Sequence, residues 1–172
     1  MSAAIIAALA ALLGLTLGRL WDIKSEHTRW RRDQRVSSYQ SLASDFYRLR
    51  EAMRRVSFVG PGDEEFSALV DKCREIGTDW NRSLVGVWLN GSEQVASAAR
   101  HMDDAVNQLF MLVRERKLSP SDWRVGREPA QKSLEAFIEA VRQDLSLPSL
   151  SIRRHWRPPE LADDQRDTAI DS

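Results

Sequence analysis

One cysteine in 172 residues excludes an internal disulfide. Three widely spaced histidines (27, 101 and 155) leave little material for a metal site. None has a Glu three residues before it, the pairing that di-iron helical bundles use. The chain also lacks His-Glu-x-x-His, Cys-x-x-Cys, Gly-x-Ser-x-Gly and any Gly-rich phosphate loop. No cofactor and no metal are therefore expected, and an enzyme is disfavoured. Net charge is missing too, since 25 Lys and Arg balance 25 Asp and Glu. That balance argues against nucleic-acid binding through a global positive field.

A more local absence is more telling. Residues 1–18 hold no charged side chain. Ser2 to Gly18 is a run of apolar, small or uncharged residues, about 26 Å long as a helix at about 1.5 Å per residue. Leu20 and Trp21 extend it toward the span of about 30 Å that a hydrocarbon core needs. Residues 1–21 are thus expected to be a transmembrane anchor. A cleaved signal fits less well, because no basic region precedes the run and no A-x-A site follows it. A buried globular helix fits less well because the run has no polar face.

The charges that follow are mostly basic. Arg19, Lys24, Arg29, Arg31, Arg32 and Arg35 face only Asp22, Glu26 and Asp33 within residues 19–35. The positive-inside bias then places the C-terminal body in the cytoplasm and the short N-terminus outside. Arg29, Trp30, Arg31, Arg32 and Arg35 form a basic neck, residues 22–35, suited to contact with anionic lipid. Ala10, Gly14 and Gly18 put small residues four apart, a stripe on which two membrane helices can pack closely. The expected partners are the bilayer, a second copy of the chain and an unknown protein; nucleic acid is not among them.

Proline and glycine are absent from Leu20 to Val59. Val36, Tyr39, Leu42, Ala43, Phe46, Leu49, Met53 and Val56 recur there every three or four residues. This is the apolar face of a helix that continues directly from the neck. Gly60-Pro61-Gly62 stops it, and Asp63 is expected to cap the next helix. Phe66 to Val87 keeps helical spacing, with a short extended piece at 85–89 as the weaker reading. Ser92 opens a third helix, and Ser119-Pro120-Ser121-Asp122 starts a short one. A last helix begins near Glu128 and ends before Pro148. Short connections favour antiparallel neighbours, so residues 36–147 are expected to form an all-α, up-down bundle of about four helices. Residues 148–172, with Pro158-Pro159 and five acids after Arg157, read as a disordered tail.

Few other side chains suggest chemistry. His101 and Asp104 lie one turn apart, the spacing of an ordinary exposed helix pair. Cys73 falls within the apolar row of its helix, so a buried, inert thiol is expected. Trp80, Trp88 and Trp123 are candidate interface anchors, with core packing as the plainer role. Arg153-Arg154-His155-Trp156-Arg157 is a second basic cluster.

The apolar start, then Trp30-Arg31-Arg32-Asp33-Gln34-Arg35, then Tyr39-Gln40-Ser41-Leu42, resembles a broad set of small single-pass proteins. These are common in actinobacteria and their phages, and most are of unknown function. The shared pattern covers roughly residues 5–55. It implies a membrane-anchored cytoplasmic helical domain and supplies no catalytic residue. The expected function is protein–protein interaction at a membrane. The alternative is a membrane-tethered enzyme or ligand-binding domain with a site inside the bundle.

Overall fold

The computed structural model describes the backbone of residues 2–149, with side chains from residue 29 onward. Five helices follow one another: α1 (Ser2–Val59), α2 (Phe66–Asn90), α3 (Glu93–Glu115), α4 (Pro120–Gly126) and α5 (Glu128–Asp144). Among the described residues there is no strand, so residues 85–89 are helical. The four long helices make the expected up-down bundle, and α4 is a connecting turn.

The side-chain pairings fix the directions. Ser38 meets Asn90, Asp45 meets Ser83 and Arg48 meets Asp79, so α1 and α2 are antiparallel. Gln94 meets Gln143 between α3 and α5. Tyr39 meets Asp144 and Arg50 meets Gln131, which brings α5 back antiparallel to α1. The closest helix pairings are α1 with α2 and α3 with α5; α1 and α5 touch over much less backbone.

One core fills the space between the helices. Leu42, Phe46 and Met53 of α1 meet Trp80, Leu84 and Val87 of α2. Met102, Val106 and Leu109 of α3 and Leu134 and Phe137 of α5 close it. Each set keeps the spacing of three and four that made the helices legible. Phe46 leans on Trp80 with ring centroids 6.4 Å apart, and Tyr39 stands edge-on to Phe137 at 6.3 Å.

The helix ends show where local rules operate. Gly60 ends α1 at φ +86°, a left-handed conformation that favours glycine. A Cβ there would lie 2.6 Å from Lys117 Cβ, so glycine also lets the α1–α2 turn sit against the α3–α4 turn. In that contact the Leu118 N–H donates to the Ser57 carbonyl at 2.7 Å. Asp63 does not cap α2 as expected. The chain makes further turns, and α2 starts at Phe66 with no side-chain cap. Asp63 instead faces Lys117 at 3.8 Å. Ser92 does precede α3, but its hydroxyl makes no capping bond. Ser119 does cap, accepting the Asp122 N–H at 3.1 Å ahead of Pro120.

Among the described residues, no helix is long and apolar enough to cross a membrane. The side chains of the uncharged run, including Ala10, Gly14 and Gly18, lie outside the described residues. So do residues 150–172, which hold most of the segment expected as a tail.

Two tryptophans offer a test of how the core is held. Trp80 Nε1 donates to Asp103 at 2.7 Å, whereas Trp123 Nε1 is buried with no partner. Trp80→Phe and Trp123→Phe remove the same indole volume, so their difference reads the hydrogen bond. In chemical denaturation, Trp80→Phe is expected to cost about 1 kcal/mol more than Trp123→Phe. Equal losses would mean that the Asp103 bond contributes nothing.

Candidate functional site

The junction where α1 enters the bundle gathers the most distinctive polar chemistry. Tyr39 is 3% exposed, one turn after the neck. Its hydroxyl donates to Asp144 Oδ2 at 2.8 Å, at the last residue of α5. Arg35 Nη1 stands 3.8 Å from the same oxygen. Burial is the first cause that pushes the Tyr39 hydroxyl up to about 12, and the bond to Asp144 adds to it. Gly91 makes room on the other side. A Cβ there would lie 3.3 Å from the Tyr39 hydroxyl and 2.7 Å from the Val87 carbonyl oxygen. One phenol thus reaches α5 and the α2–α3 turn from α1.

Beyond this latch α1 projects as a neck. Arg29, Trp30, Arg31 and Arg32 are exposed, Trp30 to 64%. Arg35 is half-buried at the foot of the neck. Arg31, Arg32 and Arg35 line an open cleft of about 670 Å³ with Asp144 to Leu147. Three guanidinium groups against one carboxylate make this cleft cationic, suited to phosphate or carboxylate.

The end of α5 shapes the cleft's other wall. The Leu147 N–H donates to the Arg142 carbonyl at 2.7 Å, and the Ser146 N–H to the Gln143 carbonyl at 3.0 Å. With Ser146 at φ 56°, this is a Schellman cap built without glycine. It turns the chain back, and Arg142 Nε then donates to the Pro148 carbonyl at 2.7 Å.

A second polar line runs along the α1–α2 contact. Asp45 is buried within the apolar row of α1. It accepts from Ser83 Oγ at 2.7 Å and from Arg48 Nη1 at 2.9 Å. Arg48 also reaches Asp79 at 3.4 Å, and Asn90 Nδ2 donates to Ser38 Oγ at 3.1 Å. These bonds satisfy one another and fix the register of the two helices.

The tryptophans separate. Trp80 and Trp123 are buried in the core of the chain itself, Trp80 on the inward row of α2 and Trp123 as the one buried residue of α4. That placement withdraws both from the role of surface anchors. Trp88 is 49% exposed and forms one apolar row with Val85 and Leu89 on α2. His101 and Asp104 are both exposed on α3; the acid with a packing role there is their neighbour Asp103. Among the described residues, no group of three His, Cys, Asp or Glu is placed to hold a metal. The second basic cluster, 153–157, lies outside the described residues.

No family model matches the chain, and neither a curated protein nor a solved structure shows significant similarity to it.

Two titrations follow from these environments. Below pH 10 Tyr39 is protonated in both folded and unfolded chains, so its contribution to stability is complete. Between its ordinary value of 10.0 and about 12, the unfolded chain releases the proton while the folded chain keeps it. Stability therefore falls as pH rises through that window. Phenolate absorbance should show a component near pH 12 that Tyr39→Phe removes, with a stability loss of about 1–2 kcal/mol at neutral pH. Retention of that component in the variant would assign it elsewhere. Cys73 is buried and its thiol is pushed up to about 11 by desolvation. Iodoacetamide at pH 8 should leave it unmodified until denaturant is added. Rapid labelling of the folded chain would show that the site opens.

Proposed function

We propose that this chain is a membrane-anchored protein whose helical body acts by protein–protein contact on the cytoplasmic side. The observation that carries this reading is the continuity of α1. One helix, Ser2–Val59, contains both the uncharged run and the first wall of the bundle. Anchor and body then share one helix. The exposed neck arginines, Arg29, Arg31 and Arg32, agree with an orientation toward an anionic leaflet. The resemblance of residues 5–55 to small single-pass proteins points the same way.

A second copy of the chain is the partner proposed first. Ala10, Gly14 and Gly18 share a helix face at four-residue spacing. Val85, Trp88 and Leu89 offer an apolar row on the body, where an aromatic side chain suits an interface centre. A ligand site inside the bundle has less support. The cleft between α1, α2 and α3 holds about 220 Å³, below the roughly 300–1,000 Å³ of small-molecule sites, and it opens to solvent past Arg74, Thr78, Asn81 and Asn107.

Membrane fractionation and cross-linking of the full chain test the reading. The wild-type chain is expected in the membrane fraction, with a cross-linked dimer that Ala10→Ile with Gly14→Ile reduces several-fold. A C-terminal reporter should be active in the cytoplasm. Recovery in the soluble fraction would overturn the anchor, a reporter active only outside would overturn the orientation, and an unchanged dimer would remove the packing stripe.

A further inference from the structure

Two cavities adjoin where the neck meets the bundle. The cationic cleft of about 670 Å³ lies between Arg31, Arg32 and Arg35 on one wall and Leu145 to Leu147 on the other. A groove of about 340 Å³ runs between α1 and α5. Val36 and Ala43 of α1 and Ile138 and Val141 of α5 line it, and no acid does. Leu145 and Leu147 line both cavities, so a charged compartment and an apolar one lie side by side.

We infer that the two together bind an anionic amphiphile with one alkyl tail. Its carboxylate or phosphate head sits among the neck arginines, and its tail lies in the groove.

The charge pattern supports the head. In the body, Arg48, Arg54, Arg74 and Arg82 each pair with an acid three residues before them. None of Arg31, Arg32 and Arg35 has an acid three or four residues away in either direction. The three stand within about one turn of each other on α1, a like-charge spacing that destabilises a helix left without an anion. Asp144 is the one acid on the lining of the cleft, and Tyr39 already donates to it. Arg35 Nη1 stands 3.8 Å from that carboxylate, beyond the length of about 2.7–2.9 Å that a charge-assisted hydrogen bond takes. Its planar fork is thus open to a second anion. The C-terminal end of a helix opposes an anion. Here the carbonyls of Val141, Arg142 and Gln143 each accept an N–H from the cap, which blunts that effect.

The groove supports the tail. Leu147 is exposed, and Val36, Ala43, Ile138, Val141 and Leu145 are half-buried. An alkyl tail laid over them takes apolar surface out of water on both sides. From Leu145 to Ile138 the strip runs about 10 Å at about 1.5 Å per residue. It is a single strip between two helices, which suits one tail. Arg142 borders it at the head end, with its Nε held by the Pro148 carbonyl. The site uses only the bundle and its neck, so it stands whether or not residues 1–21 cross a membrane.

The test probe is dodecanoic acid with a diazirine in mid-tail. It is added to the full chain in phosphatidylcholine vesicles, or in buffer if the chain is recovered soluble. Irradiation and peptide mass spectrometry should place the label within residues 36–43 and 138–147. Unlabelled dodecanoate or dodecyl phosphate should displace the probe, and the stronger of the two names the head that the arginines prefer. Dodecyltrimethylammonium and inorganic phosphate at the same concentration should not displace it, since one lacks the anion and the other the tail. Arg31→Gln with Arg32→Gln, both at exposed positions, should lower labelling about tenfold. Label scattered outside the groove would overturn the inference. So would equal displacement by the cationic amphiphile or by phosphate alone, or unchanged labelling of the double variant.

Discussion

The Tyr39 hydroxyl is the point on which the closure of this fold turns. An up-down bundle places its first and last helices side by side, and nothing in chain connectivity holds them together. Here the phenol from α1 binds the terminal carboxylate of α5, while Gly91 lets the same ring rest on the α2–α3 turn. The bond is made where the core ends and the neck begins. It therefore does two things: it closes the bundle and marks where α1 passes from the core to the exposed residues 29–34. At the opposite end the corresponding tie is a backbone bond, from Leu118 to the Ser57 carbonyl. Between the two ends, α1 and α5 are the least closely joined neighbours around the core.

Helices were legible in the sequence because their signal is periodic and local. The rows beginning at Val36, Phe66, Val95 and Leu134 predict both the elements and their buried faces, and Ser119-Pro120 marks a start that the structure keeps. Polar partnerships were not legible, because each joins residues far apart in the chain. Asp144 is 105 residues from Tyr39, and Ser83 is 38 from Asp45. Asp45 did carry a signal, since it sits three residues after Leu42 and four before Leu49, on the edge of the apolar row. An acid in that position needs donors, and α2 supplies one. Asp63 failed as a cap because the Gly-Pro-Gly turn is followed by further turns before helical geometry resumes. Trp80 sits on the apolar row of α2, and that periodicity was a better guide than the general enrichment of Trp at interfaces, whereas the short α4 offers no row on which to place Trp123.

The polar groups are also sorted along the bundle. The Asp45–Ser83 and Ser38–Asn90 contacts lie inside the α1–α2 seam and set its register. Arg29, Arg31 and Arg32 are exposed at the neck. Fixed pairing in the body and open cationic charge outside it are different uses of similar residues. The first specifies one structure, and the second leaves charge available to an anionic surface, as the proposed function requires.

The continuity of α1 has an angular consequence. Each residue of an α-helix turns the chain about 100° and advances it about 1.5 Å. The first residues of α1 and the row Leu42–Phe46–Met53 therefore hold a fixed phase across the neck. One residue inserted between Arg29 and Arg35 would swing positions 10, 14 and 18 about a quarter-turn around the axis relative to the core. Seven would return them to within about 20°. The length of the neck is thus a rotational setting as well as a spacer, and it determines which side of the bundle shares a bearing with the small-residue stripe.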